Sequence, residues 1–414
     1  MTLPAPSLPA AGPDREAAPA HWRMLGLLCL AELLGMSLWF AASSVAPQLA
    51  ARWGLDASRS AGLTTVVQLG FVAGTAIAAL LNLADLLPAR GLFAGSALLG
   101  AAVNALLLAV PGYRSALLCR FATGFFLAGV YPPAMKMVAT WFRARRGFAI
   151  GAVVGALTVG KASPYLVHAL PGAGVGPVVL SASVAAVLSA LLVGLGYREG
   201  PYPFPPRPFT WRLAGSVLAE RRFRLATGGY LGHMFELYSF WTWIPVFLAA
   251  SAAARAAAGK GAASPGLVSL VAFGTIAVGG LGCVWGGLAA DRSGRERLVI
   301  RALSASGACS LAIGALYGAP LGWVGLVAWV WGFFVIADSA QFSALVTESV
   351  PPHAVGTALT LQTSLGFLLT TVSIQLVPPI AAAVGWRLAF PILALGPVCG
   401  IAAIRRLLRV KRGS

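Results

Sequence analysis

Long apolar runs constrain the fold of this sequence more than any other feature. About 20 consecutive apolar residues cross the ~30 Å hydrocarbon core of a bilayer as one α-helix. Twelve such runs occur, in two groups of six. The first group covers residues 24–46, 60–83, 91–110, 117–138, 147–170 and 175–196, and the second covers 225–249, 264–290, 298–317, 321–346, 355–380 and 388–408. We therefore predict an all-α integral membrane protein with twelve transmembrane helices in two six-helix bundles.

The composition agrees with a chain that is embedded in lipid. Of its 414 residues, 58% are hydrophobic and only 10% are charged, and the mean hydropathy is +0.82. Soluble globular domains are roughly half apolar and one quarter charged. The five cysteines are scattered without the paired spacing of a zinc site or a disulfide framework. The sequence therefore predicts neither a metal site nor a disulfide scaffold.

The runs divide the chain into five parts. We predict a disordered cytoplasmic tail at 1–22, an N-terminal bundle at 23–196, a cytoplasmic linker at 197–223, a C-terminal bundle at 224–408 and a basic cytoplasmic tail at 409–414. The first tail is rich in Ala and Pro and lacks the apolar core and cleavage pattern of a signal peptide.

The linker contains a short amphipathic stretch. Trp211, Ala214, Val217 and Leu218 fall on one helical face, with charged residues elsewhere. This pattern predicts a helix that lies in the cytoplasmic interface.

The formal charge of +18 has a membrane explanation. In a soluble protein such a charge would raise the question of a nucleic-acid partner. With both termini placed in the cytoplasm, 21 of the 30 Lys and Arg residues fall in cytoplasmic segments, 6 fall in outer segments and the other three lie within helices. This bias predicts cytoplasmic termini, and we predict no nucleic-acid partner.

The loop after the eighth run carries a recognisable motif. It places Gly287, Asp291, Arg292, Gly294 and Arg295 in the order G-x-x-x-D-R-x-G-R. This resembles the loop signature of the major facilitator superfamily, in which the loop latches conformations and does not bind substrate. A tight glycine turn is expected there, with arginines that reach across to the other half.

A degenerate copy of the motif follows the second run. It keeps Asp85 and Arg90 but has Leu81 and Pro88 where the family has glycines. Because both copies follow the second helix of a six-helix set, they indicate two pseudo-symmetric halves around a central cavity.

The fourth run adds a second resemblance to the family. Arg120 and Gly124 match an R-x-x-x-G pattern whose arginine is often tied to proton coupling in the superfamily. Since Arg120 stands one to two turns from the predicted outer surface, we expect its side chain to extend towards water.

The fifth run is rich in glycine. Gly151, Gly155 and Gly160 allow helix backbones to approach closely. The run resembles a drug-antiporter motif, but Ala156 replaces its proline, which disfavours drug–proton antiport. Together with the segment that begins at Tyr131, it is loosely similar to nitrate and cyanate porters, although the second run lacks their anion-clamping arginine.

Few ionisable side chains lie inside the runs once those assigned to the two membrane surfaces are set aside. Each costs a few kcal/mol at bilayer depth and is therefore a functional candidate. They are Glu32, Arg120, Lys136, Lys161, His233, Glu236 and Asp338. The resemblance implies that helices 1, 4, 7 and 10 line the cavity, and six of these seven residues fall in those helices.

Specific roles follow for three of these residues. Lys161 has no acid nearby in its own helix, so we predict that it meets an anionic substrate or Glu32, the alternative being a structural ion pair. A carboxyl group shielded from water can exchange protons near neutral pH. Glu32, ahead of Glu236, is therefore our candidate for proton coupling, and hydrogen bonding between helices is the alternative.

The tenth run offers further candidate ligand contacts. Asp338, Gln341 and Ser343 form a polar stretch there that can hydrogen-bond a ligand. Aromatic residues either wall the cavity or anchor helix ends at the interface, and they are Trp39, Tyr238, Trp241 and Trp243.

These features favour secondary active transport. The ATP-binding motif G-x-x-x-x-G-K-[ST] is absent, so no nucleotide or other cofactor is predicted and the driving force is a gradient. An integral-membrane enzyme would need a cluster such as H-E-x-x-H, which is also absent. A non-transporting sensor on the same fold stays open as an alternative.

The charges bear on the substrate. Three cationic residues within the membrane favour a small organic or inorganic anion that is imported with protons, and efflux of apolar compounds is the alternative. The Ala, Gly and Arg content is typical of a GC-rich bacterial genome, which predicts an inner-membrane location. The sequence does not decide the oligomeric state.

Overall fold

The computed structural model describes residues 19–81, 83–143, 145–202 and 211–412, and within these ranges the elements are helices joined by turns, without strands. The N-terminal half contains α1 (Pro19–Met36), α2 (Ala41–Ser44), α3 (Ala46–Trp53), α4 (Ala57–Leu80), α5 (Leu83–Leu86), α6 (Ala89–Leu106), α7 (Tyr113–Leu127), α8 (Tyr131–Trp141), α9 (Arg146–His168) and α10 (Val175–Gly196).

The rest of the chain repeats this plan. After α11 (Trp211–Ala219), the C-terminal half contains α12 (Arg221–Ala257), α13 (Pro265–Ala277), α14 (Gly279–Ser293), α15 (Arg295–Ala312), α16 (Leu321–Ala337), α17 (Ser339–Thr347), α18 (Val355–Val384), α19 (Trp386–Ala389) and α20 (Leu395–Arg412). In the described part of this half, 3₁₀ turns lie at Ile313–Leu316, Pro352–Ala354 and Phe390–Ala394.

Eleven segments in the described part of the chain are long and apolar enough to cross a membrane. They correspond to the second through twelfth predicted runs. The first run is interrupted, because α1 ends at Met36 and α2 begins only at Ala41. The prediction of an all-α membrane fold is confirmed. The first predicted run forms a broken helix in the structure.

Some boundaries differ from the sequence prediction. The first helix begins at Pro19, inside the segment 1–22 that was predicted to be disordered, while residues 1–18 lie outside the described ranges. The last helix continues to Arg412, so most of the predicted basic tail is the final turn of α20.

The predicted amphipathic helix of the linker is present as α11. Ala214 and Val217 are buried, whereas Leu218 is 44% exposed. α11 packs against α12 and α18, which explains why only part of its apolar face is buried.

The two halves meet along two seams. One joins α4 to α18, and the other joins α9 to α13 and α14. In the second seam Gly155 lies directly against Gly280, with no side chain between the backbones. Within the N-terminal half, Gly160 lies against the backbone of Leu33 in α1. The predicted close approach of helix 5 to its neighbours is therefore confirmed.

We expect Gly160→Ala to destabilise the protein by about 1–3 kcal/mol, because its methyl group would overlap the backbone of Leu33, which cannot move aside as a side chain can. Gly176→Ala in α10 is the matched control, since its added methyl group meets no atom within 4 Å. Thermal unfolding in detergent measures both. Equal stability of the two variants would contradict this account of the contact.

Four crossing segments of the described chain are interrupted by turn residues. The breaks lie between α1 and α2, between α7 and α8, at Val278 between α13 and α14, and at Asp338 between α16 and α17. Three of the four belong to helices that the family resemblance placed around the cavity. Non-helical backbone at membrane depth requires partners for its polar groups, so breaks of this kind occur where protein buries them.

Candidate functional site

Lys161 lies between the two halves in a cage of aromatic rings. Its ammonium nitrogen is 3.9 Å from the ring centre of Trp39, 4.8 Å from that of Tyr238 and 5.3 Å from that of Trp241. The Nζ atom also donates a hydrogen bond of 2.6 Å to the Tyr238 hydroxyl. Since Tyr238 and Trp241 belong to α12, this one side chain joins the N-terminal half to the C-terminal half.

The cage compensates the charge of Lys161 only in part. Removing an ammonium group from water costs several kcal/mol. A desolvated cation–π contact returns about 2 kcal/mol and a charged hydrogen bond about 1.5–3 kcal/mol. No carboxylate of the described residues lies within 4 Å of the ammonium group. The remaining positive potential favours an anion at this place.

Glu32 is the nearby acid, and it is unpaired. The side chain is fully buried in α1, and neither carboxylate oxygen has a hydrogen-bond partner among the described residues. Glu32 and Lys161 nevertheless interact electrostatically. Cys29 and Tyr131 are the other titratable groups that interact with it.

The contact between α1 and α9 explains this arrangement. Leu33 touches Gly160, and Glu32 and Lys161 each stand one residue from that contact. The glycine thus allows the two helices to carry an acid and a base close to each other.

Arg120 holds the break in the first crossing segment. Its guanidinium donates to the carbonyl oxygens of Leu38 and Trp39 at 3.1 Å and 2.5 Å and to Asn104 Oδ1 at 3.2 Å. A longer bond of 3.4 Å reaches the Leu63 carbonyl. The side chain is fully buried. The expectation that it extends towards water is therefore wrong, because the carbonyls freed by the break satisfy it inside the bundle.

Further polar groups near the cage lack partners. The indole nitrogens of Trp39 and Trp241 are buried and form no hydrogen bond with the described residues. Gln68 in α4 is also fully buried, and both of its amide atoms are unpaired in that part of the chain. It lies one turn from both Thr65 and Phe71, which contact the other half. The sequence analysis missed Gln68, although a polar residue in the middle of an apolar run was a signal.

Glu236 has a different environment from Glu32. It is fully buried, but Ser306 donates to its Oε2 at 2.8 Å and Trp331 donates to its Oε1 at 2.9 Å. Both donors belong to the C-terminal half. The sequence analysis chose both acids because each lies inside an apolar run, and that criterion does not reveal this difference.

His233 and Asp338 form a second buried cluster in the C-terminal half. The His233 Nδ1 and Asp338 Oδ1 atoms are 2.8 Å apart, although the angles at these atoms are not those of a hydrogen bond. Tyr230 and Phe342 pack on the imidazole ring. Asp338 stands at the break between α16 and α17.

Gln341 lies elsewhere, in a polar network at the predicted inner end. Its Oε1 accepts a hydrogen bond of 3.0 Å from Arg295. Arg295 also contacts Glu348 at 3.0 Å, and Glu348 contacts Lys411 at 3.1 Å. One residue that we predicted to bind substrate and one that we predicted to act as a latch are thus direct partners.

The loop motif has the expected glycine turn, but its Arg295 does not extend to the other half as expected. Gly294 adopts φ +86°, a conformation that side chains disfavour, between α14 and α15. Asp291 and Arg292 are exposed, and Gly287 has open space around it. The described partners of Arg295 lie in its own half, so in this conformation it does not cross to the other.

The first-half copy of the motif can be followed only in part. Arg90 is exposed in the first turn of α6, whereas the side chain of Asp85 lies outside the described part of the chain.

An aromatic layer closes the space between the halves next to Lys161. Phe367 of α18 lies 4.6 Å from Phe71 and 5.7 Å from Trp39, measured between ring centres. Trp241 meets Phe40 edge-on at 6.2 Å. The sequence analysis named the tryptophans but missed both Phe71 and Phe367, because phenylalanine in an apolar run carries no distinguishing signal.

Polar contacts join the halves at the predicted outer end. The Gln375 amide donates to Thr65 Oγ1 at 3.1 Å, and His168 Nδ1 is 2.8 Å from Ser269 Oγ. A cavity of about 400 Å³ lies beside His168 and is lined by both halves. These contacts hold the outer ends of the halves together.

We expect Gln375→Leu to favour opening of this end by roughly 2–10-fold, since it removes hydrogen bonds that are each worth about 0.5–1.5 kcal/mol. Spin labels at Ala57 and Ala383, both exposed at this end, measure the distance between the halves. Thr371→Val is the control, because Thr371 bonds only within its own helix, to Leu368. An unchanged distance distribution would refute the role of Gln375.

The comparisons with known proteins agree with this architecture. The sequence profile of the Major Facilitator Superfamily matches residues 28–374. No curated protein sequence matches the chain significantly. A solved structure of a bacterial homolog to the human lysosomal transporter Spinster, inward-facing and occupied, is similar with a TM-score of 0.70 at 15% identity, over 95% of this chain and 97% of that one. The inward-facing, unoccupied form gives 0.67 at 16%, over 94% and 95%.

The fold and the buried site between its halves define a multi-pass membrane transporter. The family profile covers most of the chain, and the loop motif of residues 287–295 belongs to the same family. The protein is therefore a member of the major facilitator superfamily. The similar solved structures share its fold at low sequence identity.

Proposed function

We propose that this transporter imports a small organic or inorganic anion together with protons. The observation that carries the proposal is the set of unpaired donors around Lys161. The ammonium group uses one hydrogen bond on Tyr238, and the indole N–H groups of Trp39 and Trp241 use none within the described residues. Buried donors without acceptors are costly, so a ligand that brings acceptor oxygens and negative charge is favoured here.

The proposed transport cycle is alternating access. One half rocks on the other around a site near the middle of the membrane. In the described structure the cage and the outer polar contacts bridge the halves, which supports a conformation closed to the outside. An anion that binds Lys161 competes with Tyr238 for the ammonium group and thereby weakens one bridge.

Glu32 supplies the proposed coupling to protons. When Glu32 is protonated it is neutral, and Lys161 stays in the cage across the halves. When Glu32 is ionised it attracts Lys161 into an ion pair within the N-terminal half, which releases Tyr238. Protonation and bridging of the halves are thereby linked through a single lysine. Glu236 is assigned second, since Ser306 and Trp331 already satisfy its oxygens.

Other residues take supporting roles in the proposal. Arg120 holds the backbone of Trp39 and thus one wall of the cage, while Gln68, His233 and Asp338 offer further contacts to the ligand. Gln341 and the loop residues 287–295 act in conformational control at the inner end. The chain resides in a bacterial inner membrane with both termini in the cytoplasm.

Uptake into proteoliposomes tests the proposal. Purified protein is first screened by thermal shift against carboxylates, nitrate, cyanate and hydrophobic cations. Anions that stabilise the protein are then offered as labelled substrates under an imposed inward proton gradient. Gradient-dependent accumulation supports the proposal, whereas stabilisation by hydrophobic cations alone contradicts it.

The aromatic layer supports efflux of apolar compounds as a second candidate function. Five aromatic side chains from both halves meet beside Lys161, and they are Trp39, Phe71, Tyr238, Trp241 and Phe367. Such a surface suits flat apolar ligands. Efflux of an apolar dye that survives the loss of the Lys161 charge would favour this candidate.

A further inference from the structure

Helices α15 and α20 form a lipid-facing groove in the C-terminal half. They run antiparallel, since Leu303 lies against Gly400 while Glu296 contacts Lys411 at 2.7 Å. In both contacts the two residue numbers add up to about 705. A residue of α15 and a residue of α20 whose numbers have this sum therefore lie at the same depth in the membrane. The groove is a surface that the transport site does not use.

Four arginines flank the inner end of this groove. The register places Arg301 level with Arg405, and Arg297 level with Arg409. All four are exposed. Residues three or four apart share a helix face. On α15 the arginines therefore lie on the same face as the strongly exposed Leu311, and on α20 they lie on the same face as the strongly exposed Val398. In a membrane protein these faces contact lipid.

Both arginine pairs open on the same side of the groove. On α15 the arginines stand about 120° around the helix from the face that meets α20, and on α20 they stand about 130° from the face that meets α15. The helices are antiparallel, so viewed from one end the rotation from the contact face to the arginines is clockwise on one helix and anticlockwise on the other. Both arginine stripes therefore lie on the same side of the helix pair. The helix axes of such a pair are roughly 8–10 Å apart, within reach of two arginine side chains.

The charges of these arginines are not compensated by protein. Lys411, on the opposite face of α20, contacts both Glu296 and Glu348. By contrast, none of the four arginines forms an ion pair with any residue that the structure describes. The basic side chain that faces protein has acidic partners, and those that face lipid have none.

The corresponding groove of the N-terminal half carries fewer basic residues. It lies between α6 and α10, which pack together as α15 and α20 do. Two exposed arginines lie at its inner end, Arg90 in the first turn of α6 and Arg198 two residues after the end of α10. The groove between α15 and α20 has four, so its positive charge is the greater of the two.

We propose that this groove binds an anionic phospholipid with two phosphate groups, of the cardiolipin class. Arginine forks bind phosphate oxygens through paired hydrogen bonds, and basic pockets between transmembrane helices on the cytoplasmic side bind such headgroups. Two columns of arginines side by side in the membrane plane match two phosphates joined through one glycerol. The exposed apolar stripes above them, with Leu311 and Val398, receive the acyl chains.

Native mass spectrometry of the detergent-purified full-length protein tests the site. The protein is titrated with cardiolipin, with phosphatidylcholine and with inorganic phosphate. We expect Arg301→Gln combined with Arg405→Gln to weaken cardiolipin binding roughly 30-fold, because each arginine near the surface contributes about a fivefold factor. The control pair is Arg23→Gln with Arg198→Gln, which removes the same charge at the same end from exposed positions in the other half.

The outcomes are distinct. A loss confined to the Arg301 and Arg405 variant, with intact binding in the control, supports the groove. Equal loss in both variants would show only a general attraction of the lipid to cytoplasmic charge and would overturn the proposal. Displacement of cardiolipin by inorganic phosphate alone would also overturn it. Since the four side chains are exposed, thermal unfolding in phosphatidylcholine is expected to be unchanged, and this check separates lost binding from misfolding.

Discussion

Lys161→Ala is expected to lower gradient-driven uptake by at least about tenfold while the protein stays folded. The Lys161 ammonium group joins α9 to the aromatic rings of α12. It also carries the positive charge that an anionic substrate would contact. Its loss removes a charged hydrogen bond and a cation–π contact, and either one exceeds the 1.4 kcal/mol that corresponds to a tenfold change. Initial uptake rates in proteoliposomes measure the effect.

Stability distinguishes this role from a structural one. A buried ammonium group is costly to desolvate, so its replacement by alanine removes a penalty together with the contacts, and thermal stability is expected to change little. Ser163→Ala is the matched control, because Ser163 lies two residues further along α9 and donates only to the Gly160 carbonyl of its own helix. Normal transport by Lys161→Ala, or equal loss in both variants, would contradict the assignment.

Glu32→Gln is expected to abolish the dependence of transport on the proton gradient and to leave substrate binding intact. Glutamine keeps the size of the side chain and stays neutral, so it mimics the protonated acid permanently. Lys161 then has no ionised partner in its own half and remains in the cage. Uptake with and without an imposed pH difference measures coupling, and thermal shift with the same substrate measures binding.

Glu236→Gln provides the comparison for Glu32→Gln. The Glu236 carboxylate accepts hydrogen bonds from Ser306 and Trp331 on separate oxygens, and glutamine offers only one acceptor oxygen, so one of these bonds is lost. We expect about 1–3 kcal/mol of destabilisation with coupling retained. Loss of coupling in Glu236→Gln and its retention in Glu32→Gln would reverse the assignment of the two acids.

Lys161, Glu32 and Arg120 act through one short piece of chain. The break after Met36 places the ring of Trp39 over Lys161, and Arg120 binds the carbonyl of Trp39. Side chains from α7 and α9 therefore both contact Trp39, in the break that follows α1. Effects of substitutions at these positions are not expected to add, since they alter the same contacts.

The sequence by itself determined the lipid environment, the helical fold and the division into two halves. Backbone groups in lipid must be bonded within a helix, so runs of about 20 apolar residues leave little choice of structure. A local motif at residues 287–295 was enough to indicate the family, because the glycine turn at Gly294 is encoded in a few adjacent residues.

Only the tertiary structure decided which charged residues have partners. Glu32 and Glu236 are both acids inside apolar runs, yet Glu32 has no hydrogen-bond partner among the described residues and Glu236 accepts two hydrogen bonds. Arg120 was expected to reach water and instead binds the carbonyls of a broken helix. These outcomes depend on side chains far apart in the chain that packing brings within about 3 Å, and periodicity along one helix carries no information about its neighbours.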